Sequence, residues 1–139
     1  MLVNFLDSNV VLYSLAKDDA KQLKALEFLA SGCVISTQVI NEVANVMRRK
    51  LAYDIDSIRT VLLRPIRTAR LHPIASSTIL LALDIAQRYG FSYYDSLIVA
   101  AAQEANCARL YSEDLQHGQV LESGLTIINP FLSGNSTAR

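Results

Sequence analysis

Short apolar runs alternate with longer stretches of helical periodicity along this chain. Leu2 to Leu6 is an apolar run closed by Asp7, Ser8 and Asn9, which predicts a buried strand turning into a helix whose first turn those polar residues cap. The helical pattern runs past Tyr13, breaks near Lys17 to Asp19, and resumes with Leu23, Leu26, Phe28 and Leu29 until Gly32 stops it, giving a helical hairpin. Cys33 to Ile35 predicts a second strand. Ser36 or Thr37 then caps a helix that turns Val39, Val43, Val46, Met47 and Leu51 toward the core and Gln38, Glu42, Asn45 and Arg49 away from it. A further helix is expected from Asp56 to Leu63, ending at Pro65 because the proline ring removes a donor and clashes with the preceding turn. Leu71 to Ile74 is a weaker strand that Pro73 assigns to an edge.

The second half repeats the alternation. Ser76 or Ser77 opens an apolar helix through Leu80, Leu83, Ile85, Ala86 and Tyr89, closed by Gly90, and Phe91 to Ala102 follows as FSYYDSLIVAAA. Ala108 to Tyr111 and Leu125 to Ile128 complete the strands, and the polar residues from Ser133 onward are expected to fray. Short apolar strands alternating with helices specify an α/β domain over residues 1–132 with a mainly parallel sheet covered by helices on both faces.

A carboxylate inside an apolar run needs a reason, because an unpaired buried charge costs several kcal/mol. Asp95 has one in the S-x-x-D spacing from Ser92, a capping box. Topology supplies a second. All strands of a parallel sheet leave at one carboxyl edge, so Asp7 after the first strand and Asp114 after the fourth lie there. Glu42 is within two turns of the start of the helix after strand two, and the Asp95 helix must start at the same edge in order to feed strand four. Singly, each acid is explained as a cap, a turn residue or part of a solvated helix face. Together they are not, because two such charges ~4 Å apart repel by about 4 kcal/mol at an effective dielectric near 20. A cation or protons must compensate them. An all-oxygen donor set, with His72 and His117 isolated from any ligand spacing, selects Mg²⁺ or Mn²⁺ over zinc, and phosphodiester hydrolysis is the leading chemistry for such an ion.

Composition changes this picture little. At 139 residues the chain has the size of one domain, and a hydrophobic share of 51% leaves room for both a fully buried sheet and an apolar partner surface. The net charge is zero, so electrostatic recognition must come from local clustering. One such cluster lies between Val43 and His72, where seven basic side chains, including Arg48, Arg49 and Lys50, face two acidic ones. It is either an RNA-binding rim, a solvated helix face or a partner contact. Cys33 and Cys107 are expected as buried thiols in a reducing compartment. Neither a signal peptide nor an apolar run near the ~18 residues of a membrane span is present, which points to a cytoplasmic protein.

The segments FLDSN, STQVINEV, SYYDSLIVAAA and LYSEDLQHG, in this order, resemble those of PIN-domain ribonucleases, and from Leu2 to Phe131 the chain is similar to the VapC toxins of VapBC toxin–antitoxin modules. The resemblance implies a three-layer α/β/α sandwich around a mainly parallel five-stranded sheet. It implies a metal-dependent endoribonuclease using Asp7, Glu42, Asp95 and Asp114, a homodimer, and a cognate antitoxin. Asn9 and Ser112 match positions that orient the metal's waters. Ser8 stands where the family more often has threonine, and Tyr94 where it often has tryptophan; neither departure removes a carboxylate. Two other readings stay open: a PIN-fold domain that only binds, and a haloacid-dehalogenase-type phosphatase, which needs a second aspartate where this chain has Asn9.

Overall fold

A computed structural model describes residues 2–15 and 19–132. The expected break around Lys17 and the expected fraying from Ser133 lie outside the described residues. The elements are β1 (Asn4–Leu6), α1 (Ser8–Tyr13), α2 (Asp19–Ala30), β2 (Val34–Ser36), α3 (Thr37–Arg49), α4 (Ile55–Thr68), β3 (Arg70–His72), α5 (Ser76–Tyr89), α6 (Tyr93–Glu104), β4 (Arg109–Tyr111) and β5 (Thr126–Ile128). The strands form one five-stranded sheet in the order β3-β2-β1-β4-β5. Every neighbouring pair is parallel, with Phe5 opposite both Val34 and Leu110, Ile35 opposite Leu71, and Leu110 opposite Ile127.

Successive side chains of a strand point to opposite faces, so a strand buried at every position is covered on both sides. Val34, Ile35 and Ser36 are all buried, as are Phe5 and Leu6. This is the α/β architecture expected, with its core on Phe5, Ile35, Leu110 and Ile127 and helical cover from Val10, Val39, Val43, Met47, Ile98 and Val99. β3 is an edge strand, as Pro73 requires, although it pairs over Arg70–His72 and ends before that proline. Cys33 and Cys107 are free and buried, and burial pushes both thiols up to about 11. Among the described residues no helix is long and apolar enough to cross a membrane.

Two expectations are corrected. α4 does not end at Pro65 but continues to Thr68. A proline in a helix forfeits one backbone bond, and here its ring is buried while its carbonyl accepts the Ala69 N–H at 3.0 Å, so packing outweighs the local penalty. Leu51 is not a core residue: α3 stops at Arg49, and Leu51, beyond its last turn, is 48% exposed. On the first hairpin Leu29 is buried and Leu23 is 63% exposed.

The strand order places the site. β1 is central, the chain moves outward through β2 and β3, then returns across β1 to β4 and β5. The carboxyl ends of β1 and β4 therefore flank the point where winding reverses, the crevice in which open α/β sheets hold ligands. Asp7 follows β1 and Ser112 follows β4.

Candidate active site

Asp7 closes β1 and serves as the N-cap of α1 with extended backbone angles of φ −74° and ψ 166°. Its own N–H donates to the Tyr111 carbonyl at 3.0 Å, which fixes it against the end of β4. The carboxylate is 3% exposed. Oδ1 accepts from the Ser8 N–H at 2.6 Å, and Oδ2 accepts from the Ser112 hydroxyl at 2.8 Å. Burial is the main force on its proton affinity, and the hydrogen bonds from Ser112 and Ser8 only partly oppose it. The negative charges of Glu42 and Asp114 add to the rise, and the pKa reaches about 6.

Ser112 is fully buried and works in two directions. Its hydroxyl donates to Asp7 and accepts the N–H of Asp114 at 3.1 Å, so the β4 exit holds both acids through one oxygen. Asp114 also has a raised pKa, first because of its own partial burial, then because of the charges on Asp95 and Glu113; a hydrogen bond from the Asn9 side chain opposes this. Asn9 is the second residue of α1, and its Oδ1 is buried without a partner among the described residues. Such an orphaned acceptor is rare and calls for a donor or an ion.

Asp95 is the third residue of α6, not its cap. Ser92 is the N-cap, and its hydroxyl accepts the Asp95 N–H at 3.2 Å, which is one half of the expected capping box. The helix N-terminus favours a carboxylate there through its unpaired N–H groups. Glu42 projects from the middle of α3, half-buried, with Oε2 accepting from the Gln38 amide at 3.2 Å.

The four acids are linked electrostatically: Glu42 and Asp114 act on Asp7, and Asp95 acts on Asp114. The convergence is therefore electrostatic. Among the described residues no three carboxylate, histidine or cysteine side chains stand close enough to hold an ion directly. The donor set nevertheless fits a hard divalent cation. It is all oxygen, the charges of Glu42 and Asp114 raise the proton affinity of Asp7 and the charge of Asp95 raises that of Asp114, and the orphaned Asn9 acceptor sits among them.

His72 and His117 are engaged elsewhere, His72 with Glu104 at 2.9 Å and His117 accepting the Asn129 N–H at 2.9 Å. Arg48, Arg49 and Lys50 are exposed at the carboxyl end of α3, where cations complement the helix dipole; Arg48 also donates to the Tyr53 carbonyl at 3.2 Å. Sequence reasoning overlooked two neighbours of the acids. Ser96, directly after Asp95, is fully buried with an unpartnered hydroxyl, and its only signal was a hydroxyl inside an otherwise apolar run. Gln38, one turn before Glu42, was visible only as the i, i+4 spacing of an amide and a carboxylate.

The family model of the PIN domain matches residues 5–120. No curated protein matches the sequence significantly. Among solved structures the chain is similar to a toxin–antitoxin complex from Klebsiella pneumoniae, at 13% identity over 92% of this chain and 98% of the other, with a TM-score of 0.70. It is also similar to VapBC2 from Rickettsia felis bound to a promoter DNA fragment, at 18% identity over 91% and 97%, with a TM-score of 0.66. A third is the sarcin–ricin-loop-cleaving toxin VapC20 of Mycobacterium tuberculosis, at 17% identity over 80% and 89%, with a TM-score of 0.65. At these identities the likeness is one of fold.

Proposed function

The chain belongs to the PIN-domain family, and from that premise we propose that it is a metal-dependent endoribonuclease serving as the toxin of a toxin–antitoxin pair in the cytoplasm. The observation that carries the proposal is Asp7: a carboxylate almost wholly removed from water, at the reversal point of the sheet, among other acids. A domain that only binds protein gains nothing from such repulsion. Family membership also leaves the haloacid-dehalogenase reading without support. The VapBC2 and Klebsiella structures supply the antitoxin half of the proposal by analogy of fold.

Asp7, Asp95 and Asp114 would hold Mg²⁺ or Mn²⁺, directly or through water, with Glu42 completing the set or taking the proton of the attacking water. When bound, the ion supplies positive charge for the phosphoryl transition state and lowers the pKa of a water. The protein's part is positional. Ser112 fixes Asp7 and Asp114 in one frame, Asn9 hydrogen-bonds to Asp114 and keeps a buried Oδ1 without a partner, and the Asp7 and Ser92 caps hold the carboxylates on helix ends. In the hydrolysis, water oxygen would bond to phosphorus as one P–O ester bond breaks; the water's proton would pass to Glu42 where that residue acts as base, and the leaving oxygen would take a proton from solvent. Arg48, Arg49 and Lys50 would contact flanking phosphates.

A homodimer belongs to the same reading. On α5, Ile79, Leu80 and Leu83 are 40%, 65% and 51% exposed, a cost in water that a second copy would relieve. Sedimentation of the free chain as a strict monomer would remove this part of the proposal. The nuclease itself is tested by incubating the purified chain with RNA. Cleavage in Mg²⁺ or Mn²⁺, silenced by EDTA and reduced at least about a hundredfold in Asp7→Asn, is expected. A folded Asp7→Asn chain that cleaves normally would refute the assignment.

A further inference from the structure

Beside the acids lies a groove of about 420 Å³, lined by Gln38, Asn41, Glu42 and Asn45 of α3 and by Tyr94 of α6. Its composition is unusual for a protein-binding surface. It has a single aromatic ring, three carboxamides and one carboxylate, and no aliphatic floor of the kind that anchors a partner side chain. Tyr94 is 60% exposed although it precedes Asp95 in a helix that is otherwise largely buried from Ser96 onward. Its ring is held in place: Tyr93 meets it edge-on, with centroids 5.6 Å apart and planes at 61°.

The carboxamides are disposed along one helix. Gln38, Asn41 and Asn45 follow at intervals of three and four, so they stack on one face of α3 together with Glu42. Gln38 spends one N–H on Glu42, leaving its carbonyl oxygen. Asn41 and Asn45 are exposed and their side chains make no hydrogen bond among the described residues, so each keeps a full donor and acceptor pair.

A carboxamide presents a donor beside an acceptor, the complement of a nucleobase edge, and an exposed ring offers a stacking platform to a base face. Glu42 is common to the groove and to the acid series, so a nucleotide whose base occupies the groove has its backbone beside the carboxylates. Arg49 is seven residues after Glu42, on the same helical face and exposed, with a charge suited to a flanking phosphate. A base inside a duplex is stacked on both faces and has its Watson–Crick edge engaged. Only an unpaired base fits both features.

We propose that this groove is a base-recognition subsite, holding one unpaired RNA nucleobase with its face on Tyr94 and its edge against Gln38, Asn41 and Asn45, and so helping to choose which bond is cut. The proposal rests on the ribonuclease reading above. Its test uses the Asp7→Asn chain, in which RNA is not consumed, and short single-stranded RNAs of each of the four bases, one set carrying 2-aminopurine. Adding Tyr94→Ala is expected to weaken binding about tenfold or more and to abolish the stacking quench of 2-aminopurine. Tyr94→Phe keeps both, and Asn45→Ala changes the order of preference among the four bases. Unchanged melting temperatures separate these effects from misfolding. If native chain cleaves RNA while Tyr94→Ala binds it with the same affinity, quench and preference, the subsite is wrong and the nuclease stands. If the native chain neither binds nor cleaves RNA, both fall.

Discussion

Asp7 pays for its position in proton affinity. Its folded pKa near 6 lies above the 3.8 of a free aspartate because burial costs the anion more than Ser112 and Ser8 return, and Glu42 and Asp114 repel it further. A carboxyl group whose pKa rises on folding stabilises the fold while protonated. That contribution is complete below pH 4 and is lost as the pH climbs through 6, a swing on the order of 3 kcal/mol. The metal-free protein is therefore expected to melt higher at pH 5 than at pH 8 from this group's contribution, and Asp7→Asn to melt higher than the native chain at pH 8 but not at pH 4. Thermal scans in EDTA check this; a destabilised Asp7→Asn chain at pH 8 would contradict it. The sequence disclosed Asp7 because an apolar run ending in Asp-Ser-Asn marks a strand leaving the sheet. It did not disclose Ser112 as the donor to Asp7, since that bond spans 105 positions and depends on β1 and β4 being neighbours.

At the scale of elements, α6 combines two roles in its first turn. Ser92 starts the helix and the charge of Asp95 acts on Asp114, so on the proposed reading the two substitutions are expected to separate. Ser92→Ala should cost about 1 kcal/mol of stability, read by denaturant titration, and leave metal binding in place. Asp95→Asn should weaken metal binding and change stability little. The reverse pattern would make Asp95 a structural residue. Periodicity located every strand and every helix, though not the end of α4, because those signals are local: Gly90, with φ 75°, takes the left-handed conformation that ends α5 as its glycine implied. Pro65 misled because a proline's local penalty was weighed without the packing of α4 that offsets it. The groove of Asn41, Asn45 and Tyr94 was out of reach for another reason: it is made by two helices that meet only in the fold.

For the whole molecule, a net charge of zero conceals a separation between acids at the sheet reversal and cations at the end of α3. RNA is drawn to an acidic centre only if such cations offset it. Reversing Arg48 and Arg49 to glutamate is expected to weaken RNA binding and flatten its dependence on salt by up to about two phosphate contacts, measured by anisotropy across a salt series; an unchanged slope would return these residues to the solvent or a partner. The α/β architecture followed from the alternation of strands and helices, whereas the exposed Leu80 and Leu83 carried no sign in the sequence that they face outward. All these features turn on whether the carboxylates bind a cation together. Calorimetric titration with Mn²⁺ at pH 7.5 tests that most directly. The account predicts saturable binding by the native chain, weakened at least about tenfold in a folded Asp7→Asn chain; equal binding by both, or none by the native chain, would contradict it.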